Sequence, residues 1–425
     1  VNGRELLEDF KWRGLFAQST DEDALIATLD SGPVTVYIGF DPTAASLHIG
    51  NLVVLLALRR FQLAGHRPIA LVGGATGLVG DPGGRTEERA LNDEVVVSAW
   101  VPRIRSQLEA FLTFDDSANG AIMANNLDWT RPLTALELLR DIGKHFSVNQ
   151  MLAKDSVSTR LDGGGISYTE FSYQVLQAYD FLELYRREGC TLQMGGSDQW
   201  GNITAGLDLI RRVDQGSAHA LTFNLLMKSD GTKFGKTAGG AVWLNPEMTS
   251  PYAFYQFWFN SDDADVVNYL KFFSFADHAT IDDLATQVRE RPAQRAAQRF
   301  LAREMTTLVH GAGECERVEQ AAAALFGQGE LSEVEETTLA GALLQVPRAT
   351  VARDQELPSL IELLAATGVV DSKSAARRTI REGGAYVNNV KVIDEAFVPR
   401  RSDLLHDRFL VLRRGKRDIA AIEVS

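Results

Sequence analysis

The sequence predicts an α/β fold: a parallel sheet flanked by helices, then an all-helical stretch, then a small α+β module. Three observations predict it. Residues 34–72 read as strand, helix, strand, the unit from which parallel sheets are built. A second strand, glycine turn and helix follow at 191–212. The charge balance also changes sign near Pro358. The 425 residues carry a net charge of −13, yet residues 358–425 hold twelve lysines and arginines against nine carboxylates, which leaves +3 on the tail and −16 on the rest. An acidic body argues against a nucleic-acid coat, whereas a basic tail suits one module that meets a polyanion.

A chain of this length, 45% hydrophobic and 23% charged, is expected to form two or three globular domains. No apolar run is long enough to span a membrane, and no N-terminal targeting signal is read. Cys190 and Cys315 are the only cysteines, too few for a disulfide framework or a zinc cluster. A reducing cytoplasm is therefore the expected compartment.

In chain order, residues 1–33 read as helical. Residues 34–40 are rich in β-branched and aromatic side chains, and Asp41-Pro42-Thr43 breaks that strand. A helix at 49–64 follows, stopped by Gly65. Such a junction turns free backbone N–H groups and the positive end of the helix dipole toward an anion. His48 and Asn51 lie in the first helical turn, and Gly50 between them would let a flat ring lie against its backbone. Taken alone, the turn reads equally well as a polar helix cap.

Strand 68–72 closes the βαβ unit, and ligands of such sheets sit at the carboxyl ends of the strands. Gly39, Asp41 and the glycine-rich loop 73–85 fall there. That loop lacks the Lys-Ser/Thr pair of a Walker motif. It is either a flexible turn or a backbone surface that a ligand approaches closely, with Asp81 offered to a cation and Arg85 and Arg89 to phosphate.

Residues 95–165 read as mostly helical. Ser167-x-x-Glu170 is a capping box that opens a helix to about Glu188, closed at Gly189. Tyr173, Gln177 and Asp180 share one face of it. Phe171, Val175, Leu176, Phe181 and Leu182 cover much of the rest, so the polar stripe lines a cavity. After strand 191–194 and the turn 195–201, a carboxylate at Asp198 suits vicinal ribose hydroxyls. The segment Lys233-Phe234-Gly235-Lys236-Thr237 sets two lysines around a glycine, a loop able to cover a polyphosphate with compact positive charge.

Residues 250–326 read as helical, with the aromatics of 252–259 as core packing. Residues 327–357 are acidic and weakly periodic, and read as a linker. Beyond them, helices 359–366 and 373–382, a strand at 385–392 and a final strand at 408–412 lead to Arg413-Arg414-Gly415-Lys416-Arg417. This basic surface either contacts RNA phosphates or is simply solvated.

His48-Ile49-Gly50-Asn51 resembles the HIGH motif of class I aminoacyl-tRNA synthetases, with Asn51 where the family usually has His. Tyr37 and Gly39-Phe40-Asp41-Pro42-Thr43 resemble the tyrosyl-tRNA synthetases in particular. The lysine segment resembles their KMSKS loop, and the tail resembles the ribosomal-protein-type RNA-binding module of the bacterial members. The motifs follow in the family's order over essentially the whole chain. The resemblance implies a Rossmann-like catalytic domain at 1–245, with a helical connective insertion near 95–165 that also forms the interface of a homodimer. It implies a helical anticodon-stem-binding domain at 246–330, a linker at 331–357 and an RNA-binding domain at 358–425.

The implied reaction joins tyrosine and ATP into tyrosyl-adenylate and pyrophosphate, then transfers tyrosine to the 3′ end of tRNA(Tyr). Mg2+ would accompany ATP, and no metal bound tightly by the protein is expected. By the same resemblance Thr43, His48, Lys233, Lys236 and Thr237 stabilise the phosphates, and Asn51 donates near the ribose. Gly39, Asp41, Gly50, Gly196, Asp198 and Gln199 belong with the nucleotide. Asp81, Tyr173 and Gln177 belong with the substrate ammonium, Tyr37 and Asp180 with the phenol, and Gln193 with the tyrosine pocket. Arg377, Arg378, Arg381, Arg413, Arg414 and Lys416 would meet tRNA. A tryptophanyl-type or other class I adenylate-forming enzyme is one alternative, but an indole offers Tyr37 and Asp180 no hydroxyl. A non-catalytic RNA-binding relative is another, but it would have no evident use for Lys233 and Lys236.

Overall fold

The computed structural model describes residues 2–82, 91–154, 157–158, 160–161, 165–232, 234–237 and 240–425, with the backbone alone at 236–237. The described residues form two compact units: 1–245 with 262–290, and 246–261 with 291–425.

The first unit is built on a six-stranded sheet. In chain order it comprises α1 (Gly3–Trp12), β1 (Phe16–Ser19), α2 (Glu22–Asp30), β2 (Thr35–Phe40), α3 (Ile49–Leu63), β3 (Arg67–Val72), α4 (Glu94–Glu109), β4 (Ile122–Asn125), α5 (Tyr168–Glu188), β5 (Cys190–Gly196), α6 (Trp200–Asp214) and β6 (His219–Phe223). The strand order is β1-β6-β5-β2-β3-β4, parallel except for β1. From β2 the chain steps outward to β3 and β4, then returns to the other side of β2 for β5 and β6. The order therefore reverses between β2 and β5, the place where open α/β sheets form a crevice at their carboxyl edge. β2 is buried on both faces through Val36, Tyr37, Ile38 and Phe40, as a central parallel strand requires.

Two strands lie in stretches read as helical, and a third, β6, lies where no strand was read. The stretch 1–33 contains β1, a four-residue antiparallel edge strand paired with β6, and the stretch 95–165 contains β4, paired with β3. Both are too short to show alternation, and long-range pairing alone defines them. The expected capping box of α5 is half formed. The Ser167 hydroxyl accepts from the Glu170 N–H at 3.2 Å, but the Glu170 carboxylate pairs with Arg160 at 2.8 Å, both side chains being buried.

Residues 262–290 were expected within one helical domain but belong to the first unit. The cause is a set of buried arginine contacts. Arg13 on α1 donates to the carbonyls of Ser274 (3.0 Å) and Ala276 (2.9 Å), and Arg60 on α3 also donates to Ser274. Each of these charge-assisted bonds is worth roughly 1.5–3 kcal/mol, enough to fasten this turn to α1 and α3.

In the second unit, helices Pro251–Phe259, Ala296–His310, Ala312–Leu325 and Glu336–Leu343 precede a five-stranded sheet. Its strands are β7 (Arg348–Val351), β8 (Ala385–Val387), β9 (Val390–Val392), β10 (Phe409–Arg414) and β11 (Asp418–Val424), in the order β9-β8-β10-β11-β7. The segment 385–392, read as one strand, is a hairpin. Asn388 and Asn389 turn it with φ of 47° and 67°, the left-handed geometry that asparagine tolerates. The segment 331–357, read as a linker, contains a helix and β7, which runs parallel to β11. Val351 and Leu357 pack in the same core as Leu364, Ile380, Leu412 and Ile422.

A chain ending at residue 357 should therefore aggregate more than one ending at 345, because it keeps β7 and two core side chains without their sheet. Size-exclusion and light-scattering profiles of the two truncations measure this. Equal solubility would mean that β7 is dispensable to the module.

Candidate active site

One cavity of about 390 Å³ opens at the carboxyl ends of β2 and β5, against α5. Fourteen expected residues line it: Tyr37, Gly39, Asp41, Thr43, His48, Asn51, Asp81, Tyr173, Gln177, Asp180, Gln193, Gly196, Asp198 and Gln199. Residues from distant parts of the chain thus meet because β2 and β5 are neighbours.

Its floor is a hydrogen-bonded carboxylate. Asp180, only 2% exposed, accepts from Asn126 Nδ2 at 3.0 Å and from Trp129 Nε1 at 2.8 Å. Its pKa is pushed up to about 7, chiefly by burial, with the Asn126 and Trp129 bonds opposing the shift and the charges of Asp41 and Glu183 adding to it. Asn126 also donates to Thr76 Oγ1 at 2.9 Å, and its oxygen accepts from the Ala75 N–H at 2.8 Å. Thr76 and Tyr173 both donate to Asp41, each at 2.6 Å. A Cβ at Gly73 would stand 1.9 Å from Asp41 Oδ1, so only glycine fits beside this network.

Three polar atoms of the cavity are buried without a hydrogen-bond partner among the described residues: Tyr37 OH, Gln177 Oε1 and Gln193 Oε1. Burial, followed by the charges of Asp180 and Cys190, raises the Tyr37 pKa well above the ordinary phenol value, so its hydroxyl remains a donor. Tyr173 is shifted the same way, first by burial and then by Asp41 and Asp81. Unsatisfied buried polar atoms are costly, and a polar ligand in the cavity would satisfy them. On the opposite side Gln199 Nε2 donates to Asp81 Oδ2 at 2.6 Å.

The α3 start is capped from both directions. His48 Nδ1 accepts from the Gly50 N–H at 3.0 Å, and Asn51 Oδ1 accepts from the His48 N–H at 3.0 Å. The neutral imidazole then carries its proton on Nε2, and Asn51 keeps its amide NH2 as donor. The flat ring against Gly50 is the imidazole of His48: a Cβ there would lie 2.7 Å from it.

Lys233, Arg85 and Arg89 lie outside the described residues. Lys236 and Thr237 form one strand of a two-residue hairpin with Gly240–Ala241, described for its backbone. In the second unit Arg377, Arg378, Arg381, Arg414 and Lys416 are exposed; Arg381 pairs with Glu395 at 2.9 Å. Arg413 corrects the sequence reading. It is 8% exposed and lies over the Tyr386 ring at 4.6 Å, while a Cβ at Gly327 would come within 2.6 Å of its guanidinium. It is a packing residue.

Thr76, Asn126 and Trp129 were not singled out from the sequence. Asn126 and Trp129 follow β4 directly, so the rule that ligand groups cluster at strand carboxyl ends would have found them had β4 been recognised.

A mostly parallel sheet with this order, carrying a His-x-Gly-Asn turn and an acidic cavity at its switch point, fits a class I aminoacyl-tRNA synthetase, and the family comparisons place the chain in that class. Residues 29–327 match the family described as tRNA synthetases class I (W and Y), and residues 339–422 match the tyrosine–tRNA ligase SYY-like C-terminal domain. The tyrosine–tRNA ligase of Streptomyces coelicolor is 61% identical over 423 residues, 99% of each chain. That of Thermobifida fusca is 58% identical over 428 residues, 98% of this chain and 99% of its own. The chain belongs to the tyrosine–tRNA ligase family. Among solved structures, a C-terminally truncated mitochondrial tyrosyl-tRNA synthetase from Aspergillus nidulans superposes with a TM-score of 0.68 at 30% identity, covering 75% of this chain and 94% of its own. A tryptophanyl-tRNA synthetase from Encephalitozoon cuniculi shares the fold at 14% identity and a TM-score of 0.54, covering 74% and 91%.

The kcat/KM for tyrosine should fall as pH drops through about 7, as Asp180 takes up a proton and loses acceptor capacity. Asn126→Ala removes a bond that lowers this pKa, so the inflection should move upward. The pH profile of tyrosine-dependent ATP–pyrophosphate exchange measures both. An inflection that stays put in the variant would sever the link between Asn126 and Asp180.

Proposed function

We propose that the cavity holds tyrosine with its phenol between Tyr37 and Asp180 and its ammonium among Asp81, Tyr173 and Gln177, with Gln193 closing the pocket. The observation that carries this reading is the set of unsatisfied buried atoms at Tyr37, Gln177 and Gln193 beside a carboxylate held in place at Asp180. A phenol donates to Asp180 and accepts from Tyr37, while an ammonium with three N–H groups suits the acceptors. An indole lacks the hydroxyl and would leave the Tyr37 OH unmet.

Adenylate formation joins a tyrosine carboxylate oxygen to the α-phosphorus of ATP and expels pyrophosphate. It needs no protein nucleophile, only positioning and neutralisation of charge. We assign Gly39, Asp41, Gly196, Asp198 and Gln199 to the nucleotide, while Gly50, expected there too, is covered by the His48 ring. Thr43 and the Nε2–H of His48 face the phosphates, and the Asn51 amide faces the ribose. Lys233, Lys236 and Thr237 belong with the leaving pyrophosphate, and Mg2+ enters with ATP as its counter-ion. In the second step the terminal ribose hydroxyl of tRNA attacks the tyrosyl carbonyl and AMP leaves.

Arg377, Arg378, Arg381, Arg414 and Lys416 are assigned to tRNA phosphates. Adenylate chemistry falls to residues 1–245, stem binding to the helices of 246–261 and 291–330 that belong to the second unit, and RNA binding to the C-terminal sheet module. Homodimerisation through the insertion is supported by Leu136, 78% exposed, with Leu139 and Val148 exposed nearby in sequence. The cytoplasm is the compartment that holds the substrates.

Tyr37→Phe should weaken the preference for tyrosine over phenylalanine modestly, whereas Asp180→Ala should damage it far more, since it removes the stronger, charged acceptor. Tyrosyl-tRNA synthetases are themselves the reference case for hydroxyl discrimination of this kind. The ratio of kcat/KM for the two amino acids measures the effect in each variant. If Asp180→Ala lowers both equally, the phenol is read elsewhere.

A further inference from the structure

The segment that leaves the lysine hairpin returns to the His48 turn and pairs with it. The Ile49 N–H donates to the Val242 carbonyl at 3.0 Å, and the Leu244 N–H donates to the Leu47 carbonyl at 2.9 Å. His48 and Trp243 are the central residues of this antiparallel bridge. One step further the Asn245 N–H donates to Ser46 Oγ at 3.1 Å, and Ser46 in turn accepts from Gln107 on α4 at 2.8 Å. Leu47, Ile49, Val242 and Leu244 are buried around the bridge. Gly235, at φ 88°, lies so close to the start of α3 that a Cβ would meet Ile49 at 3.2 Å.

At the centre the Trp243 indole meets the His48 imidazole edge to face, with centroids 6.0 Å apart and planes at 68°. Such a ring pair contributes about 0.5–1.5 kcal/mol beyond burial and restricts ring orientation. The imidazole is already tethered at Nδ1 by the Gly50 N–H. Among the described residues, the indole at the side of the ring adds a second restraint to that tether.

We propose that Trp243 is a positioning residue for adenylate formation: its indole holds the His48 imidazole in the orientation that aims Nε2–H into the cavity. The inference rests on the assignment of His48 to the phosphates. It also gives the lysine hairpin a mechanical connection to the other signature motif. The main chain that carries Lys236 is one short strand away from the bridge.

The main-chain bridge needs no particular side chain at position 243, so substitution tests the ring alone. Trp243→Leu should lower kcat of tyrosine-dependent ATP–pyrophosphate exchange about ten-fold, the scale of a small misalignment of a reacting group. The KM for tyrosine should stay within about two-fold, since no tyrosine contact is touched. Trp243→Phe, which keeps an aromatic edge, should recover most of the rate. Should the Leu variant fail to fold, Trp243→Met keeps bulk without a ring and takes its place.

His48→Asn supplies the control, because its side-chain oxygen can still cap the Gly50 N–H while Nε2 is lost. In that background Trp243→Leu should change kcat by less than about two-fold. If Trp243→Leu costs as much there as in the wild type, or costs nothing in the wild type, the inference is overturned while the His48 assignment stands. A wild-type rate in His48→Asn alone would overturn the His48 assignment, and the positioning role with it.

Discussion

The constraint on which the pocket depends is a carboxylate held inside the protein by neutral donors. Asp180 sits on the buried face of α5 and receives its two hydrogen bonds from an amide and an indole. Neither carries charge, so burial wins and the pKa settles near 7. A salt bridge would have fixed the same carboxylate more firmly but would have filled its lone pairs and weakened it as an acceptor for a ligand. The rest of the network holds the amide donor, Asn126. Asn126 is fixed by Thr76 and Ala75, Thr76 by Asp41, and Asp41 by Tyr173. Both Asn126 and Trp129 depend on β4 being seated beside β3.

The sheet explains why the ligand groups converge. Because the order reverses between β2 and β5, the two strand ends splay and leave a crevice between them. Tyr37 and Gly39 come from one side, Gln193 and Gly196 from the other, and α5 supplies Tyr173, Gln177 and Asp180. This much was legible in the sequence. The βαβ unit, the residues in its turn and the one-faced polar stripe of α5 are local patterns, and each lies where periodicity and turn chemistry place it.

What was not legible depends on partners distant in the chain. The Ile122–Asn125 strand is four residues of mixed character, and only its pairing with β3 makes it a strand. Missing it hid Asn126 and Trp129, the residues that hold Asp180. β7 looked like a linker for the same reason, since its parallel partner β11 lies beyond the whole helical and hairpin part of the module. Arg413 read as one more charge in a basic run, yet it follows the buried residues of β10 and its guanidinium is spent on Tyr386. Arg414, one position on, is exposed. Composition gives the sign of a surface but not which of two adjacent arginines belongs to it.

Proton linkage tests the central claim most directly. If free Asp180 holds a proton up to about pH 7 and gives it up when the phenol and ammonium of tyrosine enter, binding at about pH 6 should release most of one proton, and binding at about pH 8.5 almost none. Titration calorimetry of tyrosine in buffers of different ionisation enthalpy measures this number at each pH. Release at about pH 6 that disappears at about pH 8.5, and that is lost in Asp180→Ala, is the result expected. The same proton count at both values would contradict it, and would mean that the buried carboxylate is not the group that answers to tyrosine.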